Sequence, residues 1–80
     1  MSNEIDDRKF LEAQLQWVKQ RDALLEQIES KLYEMKHIAE QVASNNELMP
    51  ENEKRRLNEK FTHLKIKVTE LENQLHTSFN

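Results

Sequence analysis

Eighty residues with 34% charged side chains, no glycine and no cysteine describe one small domain. Without cysteine there are no disulfides and no thiolate metal sites, and missing glycine argues against tight β-hairpins and phosphate-cradling loops. The formal net charge of −3 mixes both signs, which describes solvated helix surface rather than a basic nucleic-acid binder.

The chain opens on Ser2-Asn3-Glu4-Ile5-Asp6-Asp7, polar and acidic. It lacks the basic start and apolar core of a secretory signal. No later run approaches the ~18 apolar residues of a membrane span. A cytoplasmic location and no membrane are the expectation. Ser2 or Asn3 suits the N-cap of a first helix, with Glu4, Asp6 and Asp7 in its first turn, where the helix dipole favours negative charge. Apolar residues then recur at spacings of three and four, which keeps them on one helix face. Nothing breaks the pattern before Ser44-Asn45-Asn46, so the first helix is predicted over 3–44.

A turn is predicted over 45–49. Asn45 or Asn46 tolerates a left-handed backbone and is expected to end the first helix. Pro50, the chain's one proline, suits the first position of a second helix, where a missing N–H costs nothing. Glu51 and Glu53 follow in that first turn. The second helix is predicted over 50–77, with Ser78 to Asn80 fraying. So short a connection favours antiparallel neighbours. The fold class expected is all-α: an antiparallel two-helix coiled-coil hairpin.

Heptads set the seam. In the first helix, position a holds Leu11, Val18, Leu25, Leu32 and Ala39, and position d holds Gln14, Arg21, Ile28, Met35 and Val42. In the second helix, a holds Phe61, Val68 and Leu75, and d holds Leu57, Leu64 and Leu71. The expected intrachain seam is Leu25, Ile28, Leu32 and Met35 against Phe61, Leu64, Val68 and Leu71. Arg21 interrupts that seam one turn from Trp17. Stacking on the indole competes there with a packed stem whose head reaches water; the second is the expectation.

The first helix carries a further row at position g, Phe10, Trp17, Leu24 and Ile38, widened by Leu15. One partner helix covers too narrow a stripe to shelter all of it. Folding about the turn also brings Phe79 only to about Trp17, so Phe10, Leu11 and Leu15 overhang. Self-association follows as an expectation: two hairpins forming a four-helix bundle through Phe10, Leu11, Leu15, Trp17, Leu24 and Ile38. A different protein partner would meet the same need. The function expected is protein–protein interaction, as an adaptor, regulator or assembly subunit.

Other chemistries have less material. Glu34 and His37 form an E-x-x-H pair, which in a bundle holds metal when it points inward. Here they fall at c and f, outward. His63 and His76 also point outward, each four residues from a glutamate, a spacing common among plain helix-surface neighbours. No serine has a histidine and an acid nearby in sequence, so no enzyme, no cofactor and no metal are expected. The stretch 54–67 is the densest in basic residues, with Lys54, Arg55, Arg56, Lys60, Lys65 and Lys67. Nucleic-acid association through it is the alternative, disfavoured because the charges spread over several helix faces. A metal-binding bundle is the weaker alternative.

The layout resembles the small bacterial aspartyl-phosphate phosphatases of sporulation, which are antiparallel helix pairs with an S-x-x-x-D stretch in the second helix. The corresponding turn here is Asn58-Glu59-Lys60-Phe61-Thr62, with neither hallmark residue. The resemblance implies a shared topology over part of the chain, and without the hallmark residues the phosphatase activity does not carry over.

Overall fold

The computed structural model describes residues 2–77, with side chains from residue 6 onward. The caps expected at Ser2 and Asn3, the charge of Glu4, and Ser78 to Asn80 with Phe79 lie outside the described side chains. Two helices make up the molecule: α1, Ser2–Asn45, and α2, Glu51–Thr77. No strand occurs among the described residues. With 44 residues, α1 spans about 66 Å at 1.5 Å per residue, which accounts for most of the 72 Å long axis. The absence of glycine and of any proline before Pro50 lets it run unbroken.

The connection is closed by backbone hydrogen bonds rather than by a left-handed residue. The Asn45 carbonyl accepts from the N–H of Leu48 at 3.1 Å and of Met49 at 2.9 Å. No residue with positive φ occurs among those described. The left-handed asparagine expected at the end of the first helix is therefore replaced by one further helix-like turn. What stops that turn is Pro50, whose ring disfavours the helical region for Met49 before it. The Asn45 side-chain amide also donates to the Gln41 carbonyl at 3.2 Å. Pro50 sits one position outside α2, and its carbonyl accepts from Glu53 and Lys54, both at 3.1 Å. It thus serves as the N-cap carbonyl of α2, with Glu51 and Glu53 in the first turn as the dipole favours.

The helices fold back antiparallel onto two buried clusters. Near the turn, Ile38, Met49, Leu57 and Leu64 pack together, flanked by Met35, Val42 and Phe61. Further along, Ile28, Val68 and Leu71 pack with Leu24, Met35 and Leu75. Met35 touches both clusters and joins them into one seam. On α2 the seam uses the a and d positions that the heptad pattern predicts, with Leu57, Leu64, Val68 and Leu71 buried.

On α1 the seam lies one row over from the expected one. Its inward residues are Trp17, Arg21, Leu24, Ile28, Lys31, Met35, Ile38 and Val42, all buried or half-buried. They alternate in steps of four and three, a complete heptad repeat built from positions d and g. Leu25 and Leu32, expected in the intrachain seam, are instead 40% and 48% exposed. Ile38, expected on the association surface, is buried in the seam, and Leu24 packs beside Ile28. Lys31 is half-buried in the inward row, which a lysine tolerates because its long apolar stem can pack while the charge stays at the edge.

Candidate association surface

Once α2 takes the d and g rows, the a row of α1 is left facing outward. Leu11, Val18, Leu25 and Leu32 are exposed. Leu15, at e, widens this row at its N-terminal end and is also exposed. Ala39 continues the row and is exposed too. At about 100° per residue, the centre of this outer stripe lies roughly 110° around α1 from the seam with α2. That angle lets α1 contact two neighbouring helices at once, as each helix of a four-helix bundle does.

The stripe extends past α2. Every described side chain from residue 6 to residue 16 is exposed, and burial begins at Trp17. Phe10, Leu11 and Leu15 lie on this overhang at 62%, 65% and 54% exposure. At the opposite end of the hairpin, Leu48 projects from the turn at 87% exposure. Isolated exposed apolar residues are ordinary on a protein surface, but a row of them along one helix is not. A shallow groove near the turn, lined by Ile38, Ala39, Val42, Ala43, Lys54, Asn58 and Phe61, adds apolar surface on the flank of the hairpin.

Trp17 and Arg21 mark where the overhang meets the seam. The guanidinium carbon lies 5.8 Å from the centroid of the indole, within the range of a cation–π contact. The contact with the indole is present, and Arg21 is half-buried in the inward row. Trp17 itself is half-buried rather than part of the outer face.

The remaining candidate residues are scattered. Glu34 and His37 are both exposed, and the His37 ring meets Tyr33 edge-on with centroids 4.6 Å apart. Among the described residues no group of three or more histidine, aspartate or glutamate side chains is placed to hold a metal ion. His63 and His76 are exposed on α2. In the basic stretch, Lys54 pairs with Glu51 at 3.7 Å and Lys67 with Glu70 at 3.6 Å. Arg55, Arg56, Lys60 and Lys65 are exposed on several sides of α2. No helix among the described residues is long and apolar enough to cross a membrane.

No family model, no curated protein and no solved structure matches the chain.

The heptad pattern alone could have revealed the two-faced character of α1. Position g there holds Trp17, Leu24 and Ile38, position a holds Val18, Leu25 and Leu32, and d completes a seam with either row. Met49 gave a weaker signal. It stands in the turn between Leu48 and Pro50, and it is buried against Ile38, Leu57 and Leu64.

Proposed function

We propose that the protein is a small cytoplasmic coiled-coil module for protein–protein interaction, and that it dimerises into a four-helix bundle through the outer face of α1. One observation carries the reading: the exposed row Leu11, Val18, Leu25 and Leu32, with Leu15 beside it, on a helix already packed along another face. Covering large apolar side chains stabilises association by about 25 cal/mol per Å² of apolar surface removed from water. The charged residues between and beside them then set orientation and partner choice. α2 contributes no second apolar face of comparable length, since Asn58, Lys65 and Glu72 line one flank of its seam and Lys60, Lys67 and Gln74 the other. The contact between hairpins is thus made by α1.

Sedimentation equilibrium at micromolar concentration tests this. The expected result is a dimer for the native chain and a helical monomer for Leu25→Glu combined with Leu32→Glu. A native chain that sediments as a stable, fully helical monomer overturns the proposal.

A further inference from the structure

Resting on that self-association, we infer that the second copy lies antiparallel along α1, with the two-fold axis beside Glu29. The row next to the apolar a positions on the outer face is position e, with Leu15, Asp22, Glu29, Lys36 and Ala43. Together the two rows alternate in steps of four and three from Leu11 to Ala43, the pattern of a second coiled-coil seam. Asp22, Glu29 and Lys36 are all exposed and stand in the middle of it.

Those three charges choose the orientation. A parallel, in-register pair sets each of them against its own copy, three like-charge contacts in one line. An antiparallel pair about Glu29 sets Asp22 beside Lys36 of the second copy, twice, and leaves one like-charge contact at the axis. It also sets Leu15 beside Ala43 of the second copy and Leu25 beside its Leu32. On the flank, Lys19 comes beside Glu40 of the second copy, again twice. The present partner of Lys36 is Glu40 at 3.8 Å, with the lysine side chain 70% exposed. So open an intrahelical pair leaves ammonium donors for a second carboxylate.

Neighbouring registers fit less well. A slide of one heptad in one direction faces Asp22 with Glu29 and Leu15 with Lys36. The opposite slide sets Glu29 beside Lys36 twice, but it carries Leu15, as well as Leu11, beyond the end of the second α1. In the chosen register the bare overhang of residues 6–16 runs beside the turn of the second copy.

The native chain has no cysteine, so single-cysteine variants report distances without background. A short bis-maleimide cross-linker is applied to Glu29→Cys and, separately, to Asp22→Cys. The expected result is a covalent dimer for Glu29→Cys and none for Asp22→Cys, whose two copies are about 21 Å apart along the axis. In sedimentation, Asp22→Lys is expected to weaken the dimer about tenfold, and adding Lys36→Asp to restore it. Cross-linking of both cysteine variants means a parallel pair and overturns the inference. A dimer in which Glu29→Cys stays uncoupled means another register or face and also overturns it. A native monomer removes self-association itself, which separates failure of the underlying reading from failure of this geometry.

Discussion

Arg21 lies one helical turn from Trp17 on α1, with its guanidinium carbon 5.8 Å from the centroid of the indole. Both residues belong to the inward row, and both sit where α2 runs out. An arginine in a mostly apolar row is favoured by a neighbour that attracts its charge and packs on its flat face, and an indole does both. Arg21→Ala is expected to lower stability by about 1 kcal/mol, from the lost stacking and the lost stem packing together. Urea denaturation followed through Trp17, the chain's single tryptophan, measures it. An unchanged midpoint would show that the contact contributes nothing.

The shifted seam of α1 makes a sharp contrast between leucines. Leu64 is 6% exposed in the cluster near the turn, and Leu64→Ala is expected to cost about 2–5 kcal/mol. For so small a domain that is enough to unfold much of the population. Leu32 is 48% exposed, and at dilutions where hairpins are separate Leu32→Ala is expected to cost less than about 1 kcal/mol. Circular dichroism melts of the two variants decide between this seam and one through Leu25 and Leu32, which would make both changes severe.

Met49 and Pro50 act as a pair at the closed end. A residue before proline is disfavoured in the helical region, and Met49, which precedes Pro50, fills the end of the core beside Ile38 and Leu57. Pro50→Ala is expected to cost about 1 kcal/mol by freeing the turn, and Met49→Ala about 2–3 kcal/mol by opening a cavity. The second loss should persist in the Pro50→Ala background, because packing and chain stiffness are separate contributions. Equal melting temperatures for native chain and Met49→Ala would contradict the burial of Met49.

The intrahelical ion pairs should matter little. Lys67 and Glu70 are 3.6 Å apart and both about half exposed, so solvent and salt screen their attraction. Lys67→Ala is expected to change stability by less than about 0.5 kcal/mol. The check is a denaturation midpoint at low and at high salt, and a loss above about 1 kcal/mol would point to a contact beyond Glu70.

Self-association ties stability to concentration. If two hairpins share the outer face of α1, the melting temperature rises as the chain is concentrated, since only the folded form enters the dimer. Leu25→Glu should flatten that dependence while sparing the melting temperature at high dilution, because Leu25 lies outside both core clusters. A melting temperature independent of concentration in the native chain would count against the dimer.

The sequence by itself determined both helices and, to within a residue, where each of them meets the turn. Those depend on local causes: apolar residues at three and four spacing, no glycine, and one proline at Pro50. The inward face of α2 was equally legible, because Leu57, Leu64, Val68 and Leu71 form its only continuous apolar stripe. On α1 two stripes share the d row. One is completed by Trp17, Leu24 and Ile38, the other by Val18, Leu25 and Leu32, and their hydrophobicity is too similar for local pattern to rank them. The tertiary structure decided between them through the turn. With Asn45 closing one more helix-like turn before Pro50, α2 packs on the side of α1 that carries Ile38 and Leu24. That choice hides the first stripe and leaves the second facing outward.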